Sequence, residues 1–283
     1  MNIILVHNPK SGSALSENEL RAKCNKHHIA IDAFVVVDKD LSKKIAPYIK
    51  DKRIIAAIGG DGTLSAVAGI LAGTKAIFAP LPGGTLNHFT KDLGVPQDID
   101  KALGRLLHLK PRSIDVALVN KKVFINNASV GLYTSSLHTR KRFEDRLGKW
   151  LSAIIASIRA LIRFRTYTVT IDKETFRTPF IFVGNNEYKM TRPGVVERKN
   201  IDKGTLSIFI ARTASRRVLL KIAVLAIIGN INKLDEFESR KTSSFVINTL
   251  KKQLSVSRDG EVDHVATPLR FEVQKSVLRV LAG

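Results

Sequence analysis

The sequence predicts an α/β domain followed by a mainly β domain. Three observations carry this. The chain has 283 residues, and at roughly 150 residues per domain that is about two domains. Its first third alternates short apolar runs with helix-like segments, the rhythm of βαβ units around a parallel sheet. After about residue 112 short strands joined by polar turns take over, which reads as mainly antiparallel β.

In order, residues 3–6 form the first strand candidate, followed by a loop at 7–12. Residues 16–26 look helical, with Leu20 and Cys24 one turn apart. A strand over 30–37, a helix over 40–50 and a strand over 54–58 follow. A helix runs from about 63 to 71, and a strand over 76–79 is closed by Pro80 and Pro82. Wholly apolar short strands suit a parallel sheet covered on both faces. In the second half, 114–119 and 123–127 flank Asn120-Lys121-Lys122 as a hairpin. Further strands read over 166–171, 176–183, 206–211, 244–249, 254–257 and 269–273. Two helical segments interrupt them, 138–165 and 216–228. The first spaces Leu147, Trp150, Leu151, Ile154, Ile155 and Ile158 at three and four residues, with arginines and lysines toward both ends. That pattern suits a helix packed on a core, and also one resting on an anionic bilayer.

Composition narrows the function classes. With 44% hydrophobic and 25% charged residues, there is enough apolar material for a core, which excludes a disordered chain. Lys and Arg number 46 against 25 Asp and Glu, a net +21. That charge attracts phosphates, whether of nucleic acid, membrane or nucleotide. Cys24 is the only cysteine, so neither an intrachain disulfide nor a cysteine zinc site can form. The N-terminus lacks a basic region ahead of its apolar run and is not expected to be a signal peptide. No apolar stretch approaches the ~20 residues of a membrane span. The expectation is a cytoplasmic protein without a transmembrane segment.

The chemistry-bearing residues cluster in loops. Gly59-Gly60-Asp61-Gly62-Thr63 lies between a strand and a helix. Small residues there let backbone N–H groups approach a phosphate, and the helix start favours an anion. A tight turn ahead of a helix is the plain alternative. The loop is neither the dinucleotide fingerprint nor a Walker A loop. An aspartate suits such a cradle if it faces Mg²⁺ or takes a proton. After the next strand Gly83-Gly84-Thr85-Leu86-Asn87-His88-Phe89 repeats the arrangement, and Asn8-Pro9-Lys10-Ser11-Gly12 follows the first. Loops after neighbouring parallel strands share the carboxyl edge of the sheet, where ligands bind. Far along the chain, Asp259-Gly260 between two strands reads as a hairpin turn or as a base for a hydroxyl.

Taken together, Asn8–Gly12, Gly59–Thr63, Gly84–Phe89 with Lys91-Asp92-Leu93-Gly94-Val95-Pro96, and Arg258-Asp259-Gly260-Glu261 resemble the catalytic domain of the diacylglycerol kinase and sphingosine kinase superfamily. The match runs from the first loop to a turn near the end, in the family's order and spacing. The resemblance implies a Rossmann-like nucleotide-binding α/β domain over 1–112 and an antiparallel β-sandwich over 113–269. Strands from about 270 to 283 would return to the first, with the active site in the cleft. It implies ATP and Mg²⁺ as cosubstrates and a lipid hydroxyl as acceptor. Asn8, Pro9, Lys10, Ser11, Gly12, Gly59, Gly60, Asp61, Gly62, Thr63, Gly84, Thr85 and Asn87 would hold the nucleotide. Asp61 would belong to the polar network at the phosphates, and Asp259, with Glu261 beside it, would take the acceptor proton. It also implies a peripheral contact with an anionic membrane face and is compatible with a homodimer.

The chain departs from the family at three places. His88 and Lys91 stand where Asp and often Arg are usual. Near 202 the usual Asp-Gly-x-Leu is associated with a structural Mg²⁺. Here Lys203 takes the Asp position and leaves Asp202, one residue earlier, as the candidate metal ligand. Two other function classes compete. An NAD kinase shares Gly-Gly-Asp-Gly and would use an Asn-Glu pair such as Asn186-Glu187. A non-catalytic nucleic-acid- or membrane-binding protein would use the charge, but no nucleic-acid motif is present, and aromatics at 6% leave few stacking platforms.

Overall fold

The computed structural model describes residues 1–11, 15–49, 52–131, 166–171, 174–192, 195–211 and 237–282. The helical segments read at 138–165 and 216–228 lie outside the described residues. By compactness the chain forms two units. The first holds Met1–Ala117, Lys122–Asn126 and Gln274–Gly283, the second Leu118–Lys121 and Asn127–Val273.

In the first unit β1 (Asn2–His7), β2 (Ala30–Val36), β3 (Ile54–Gly59) and β4 (Ile77–Pro82) form a parallel sheet in the order β2-β1-β3-β4. β3 and β4 are almost wholly buried, as a doubly covered sheet demands. Helix α1 (Glu17–Lys26) starts at Ser16, which exchanges hydrogen bonds with Glu19 as a capping box. It buries Leu20 and Cys24. Burial pushes the Cys24 thiol up to about 11, which keeps it protonated and unreactive. The expected helix over 40–50 is shorter, α2 (Leu41–Ile45) and a 3₁₀ turn (Ala46–Tyr48). Pro47 supplies no N–H to continue the α-helical hydrogen bonds. α3 (Asp61–Leu71), α4 (His88–Asp92) and α5 (Ile99–Leu106) complete the helices described. β5 (Lys110–Val119) begins four residues before its apolar run, because Lys110–Ser113 are exposed and hydropathy does not mark them.

β4 does not stop before its prolines. Ile77 and Gly83 send their N–H groups to Arg53 and Gly59 on the β3 side. Residues alternate along a strand, so positions 78, 80 and 82 face the other way. There Phe78 pairs with Val280 of the last strand, β18 (Leu269–Ala282). Pro80 and Pro82 come after that pairing, so neither removes a bond to β3.

His7 closes β1 at 4% exposure, beside the Phe34 ring. Its Nε2 has no hydrogen-bond partner among the described residues. Desolvation lowers its pKa below the usual 6.5, against a smaller upward pull from Glu17. The unfolded chain therefore binds a proton here more readily than the folded one, and stability falls as pH drops through 6.5 and below. His7→Leu should flatten that part of the melting temperature curve between pH 7.5 and 5. A wild-type slope retained in the variant would show that His7 is not its source.

The second unit is antiparallel. β7 (Asn127–Gly131), β10 (Phe180–Asn185), β13 (Leu206–Ala211), β14 (Phe237–Thr242), β16 (Gln253–Arg258) and β17 (Glu261–Ala266) form a sheet in the order β14-β13-β10-β7-β16-β17. β8 (Tyr167–Ile171), β9 (Glu174–Thr178), β15 (Ser244–Asn248) and the first residues of β18 form a second ladder. β11 (Tyr188–Arg192) and β12 (Val195–Arg198) pair with each other. The run read as one strand over 176–183 is two. It breaks at Pro179, so that β9 pairs with β8 and β10 with β7 and β13. The hairpin at 120 has a two-residue turn, Asn120-Lys121, both at positive φ, and its return strand β6 (Lys122–Phe124) ends before Asn127.

Candidate active site

Register sets the first part of the site. His7 lies opposite Ile58, Ile58 opposite Leu81, and Gly59 opposite Pro82. The loops leaving β1, β3 and β4 therefore emerge at one level on the carboxyl edge of the sheet. Side chains then tie them together. Asn8 donates from Nδ2 to Thr63 Oγ1 at 2.7 Å, while its Oδ1 and main-chain carbonyl accept the N–H groups of Lys10 and Ser11. Asn87 sits in the left-handed region at φ 52° and is 8% exposed. Its Oδ1 accepts the Gly84 N–H at 2.9 Å.

The two glycine pairs pack backbone to backbone. A Cβ on Gly84 would come within 2.5 Å of Gly60 Cα, and one on Gly83 within 2.7 Å of Gly59 N. Only glycine permits that approach. Asp61, the first residue of α3, bridges the same loops. Its Oδ1 accepts the Phe89 N–H at 3.0 Å and Asn126 Nδ2 at 3.1 Å, and its Oδ2 the His88 N–H at 3.2 Å. The carboxylate thus holds the first turn of α4, while the Phe89 ring is fully buried beside Phe78. Lys10 and Thr85 are exposed on these loops. Gly12 lies outside the described residues.

The second unit supplies the other candidates. Asp259 and Gly260 have φ of 46° and 87°, the pattern of a two-residue type I′ turn joining β16 to β17. A turn aspartate is ordinarily exposed, but Asp259 is 8% exposed. Its Oδ1 accepts the Asn127 N–H at 3.0 Å, and its own N–H returns to Asn127 O at 2.9 Å. Arg258 and Asp263 form an ion pair across the hairpin, and Glu261 is exposed.

Asp202 is exposed. Among the described residues no three His, Cys, Asp or Glu side chains group as metal ligands. The loop is held by Asn186, fully buried at φ 70°, whose Oδ1 accepts the N–H groups of Lys203 and Gly204 at 2.7 and 2.9 Å. Its neighbour Glu187 binds Lys241 and Asn200, and the Lys241 hydrogen bond, with that from Asn200, lowers its pKa. The Asn-Glu pair that an NAD kinase would turn to its substrate is thus engaged within the protein.

Asn126 and Asn127 carry no sequence motif signal, and Asn186 stood out only as half of an Asn-Glu pair, not as the holder of the 202–204 loop. Each acts through a long-range contact, which local spacing does not encode. The weak signal available was a run of buried-looking strand residues interrupted by paired asparagines.

The sequence profile described as "Diacylglycerol kinase catalytic domain" matches residues 2–119, the stretch that holds all three loops. In these residues the chain resembles the diacylglycerol kinase catalytic-domain family. The chain is 42% identical over 114 residues to "Probable lipid kinase YegS-like" of Pseudomonas syringae, a span of 40% of this chain and 36% of that protein. It is 25% identical over 245 residues to "Putative lipid kinase SA0681" of Staphylococcus aureus, covering 84% of this chain and 80% of that one. Among solved structures, a "putative diacylglycerol kinase" from Bacillus anthracis matches with a TM-score of 0.74 at 24% identity. It covers 100% of this chain and 97% of the other. That likeness shows the fold, a parallel α/β part followed by antiparallel β. No helix among the described residues is long and apolar enough to cross a membrane.

Proposed function

We propose that this chain is an ATP-dependent lipid kinase that transfers the γ-phosphoryl group to a hydroxyl of diacylglycerol or a related lipid. The observation that carries the reading is the locked convergence of three loops on one sheet edge, with Gly59-Gly60 against Gly83-Gly84 and Asp61 bridging them. Backbone N–H groups in such loops suit phosphate oxygens, and phosphoryl transfer depends mainly on positioning and charge neutralisation.

In this reading Asn8–Gly12, Gly59–Thr63, Gly84, Thr85 and Asn87 hold the nucleotide, and Lys10 adds a positive charge. Asp61, already accepting three N–H donors, orders the loops and leaves Oδ2 capacity for a water of the nucleotide's magnesium. Mg²⁺ bound with ATP would supply charge neutralisation at the phosphates. Asp259 takes the proton of the lipid hydroxyl as its oxygen bonds to the γ-phosphorus and ADP leaves. Glu261 adds negative charge beside it. The +21 charge, rich in 138–165, favours a peripheral contact with an anionic membrane on its cytoplasmic face.

The test is transfer of label from γ-labelled ATP, with Mg²⁺, to vesicles carrying diacylglycerol, sphingoid bases or related alcohols. Lipid-dependent transfer is expected. Labelled NADP from NAD with no labelled lipid would replace this reading by the nucleotide kinase. Salt-sensitive nucleic-acid binding with no transfer to any acceptor would replace it by the non-catalytic one.

A further inference from the structure

We propose that Asn126 is a positioning residue of the nucleotide site, acting through Asp61. This rests on the lipid-kinase reading for its catalytic consequence, but not for its geometry. Asn126 follows β6, outside all three loops, and is 2% exposed. Its Nδ2 reaches Asp61 Oδ1 at 3.1 Å across 65 residues of sequence. Among the described residues Asp61 has two other donors, the N–H groups of His88 and Phe89, and both belong to the turn that Asp61 itself holds. Asn126 is the one side-chain donor.

A carboxylate bound only to the turn it organises can swing with that turn. A donor from a buried residue on a separate element fixes one oxygen and so fixes the plane of the group. That sets where Oδ2 points and where the first turn of α4 sits. The chemistry demands an amide here: an aspartate of the same shape would offer an acceptor to an acceptor, and two carboxylates sharing one place repel. The next residue, Asn127, belongs to the second unit and its main-chain N–H holds Asp259 Oδ1. Consecutive residues thus serve the two aspartates.

The experiment compares Asn126→Ala and Asn126→Asp with the parent by hydrogen exchange of peptides spanning 84–93 in the free protein, and by steady-state transfer from ATP. Removal of the donor should speed exchange at His88 and Phe89 and lower kcat about 10- to 100-fold, the cost of a small misplacement at a reacting site. KM for the lipid should stay near its parent value. Asn126→Asp should be worse than Asn126→Ala in both measurements, although it preserves volume. Its deficit should shrink as pH falls from 8 to 6, because a protonated carboxyl can donate again. Asp61→Asn combined with Asn126→Ala should cost no more in kcat than the larger single loss.

A packing role predicts the reverse order, with Asn126→Asp the milder change, and additive losses in the double variant. Either result overturns the proposal, as does unchanged exchange at 84–93 in both variants. If the parent transfers phosphate to no lipid, the kinase reading fails while the exchange measurement still decides the role of Asn126. Melting temperatures of all variants separate a local effect from a failure to fold.

Discussion

Asp259→Asn is expected to lower kcat for lipid phosphorylation by about 10²- to 10⁴-fold, the range that a positioned general base contributes. The asparagine keeps the shape of the side chain and one oxygen to accept the Asn127 N–H. The type I′ turn survives as well, since Asn-Gly is as good a turn pair as Asp-Gly. Melting temperature and ATP affinity should therefore stay near the parent values. That separation gives the experiment its force. The hairpin alternative, in which Asp259 is only a turn residue, predicts an active variant. Glu261→Gln provides the comparison: its side chain is exposed, and its loss should be clearly smaller.

Gly84→Ala has the largest expected effect on the glycine loops. Its Cβ would stand 2.5 Å from Gly60 Cα and 3.1 Å from Asn87 Oδ1. The near neighbour is main chain, so the clash cannot be relieved by rotating a side chain. The two loops must separate, at the ~1–3 kcal/mol typical of overpacking. Separation also breaks the Gly84 N–H bond to Asn87. Binding of a fluorescent ATP analogue should weaken by at least tenfold, with a lower melting temperature. Gly60→Ala is the informative contrast. Its Cβ would meet Gly84 Cα at an ordinary 3.5 Å, so its melting temperature should fall much less. Equal melting temperatures for the two variants would mean that the close approach of the loops is not what glycine serves here.

The parts of the fold that were legible in the sequence are those where one face or both faces of an element are apolar. β1, β3 and α1 fall within a residue or two of their expected limits because burial itself writes their pattern. α5 left a clear N-cap at Asp98 but only three buried residues, too short a stripe to stand out. β17 was hidden because most of its residues are exposed or half-exposed, and the last strand showed its pattern only over 269–273 because its central residues are exposed. At the site, the glycine loops were visible because close backbone approach leaves a compositional mark. The bonds from Asn126 to Asp61 and from Asn186 to its loop were not, since asparagine leaves the same letter on the page whether it holds a buried loop or faces water.

The prolines at the end of β4 have one more consequence. A strand with free N–H and C=O groups along one side invites a foreign strand to pair, and this is how sheet edges seed aggregation. Beyond Phe78 that side of β4 carries Pro80 and Pro82, which present carbonyls but no donors. An incoming strand could make at most half a ladder. The two prolines that break the pattern of a buried parallel strand therefore help keep a highly apolar sheet from recruiting other chains while the protein folds.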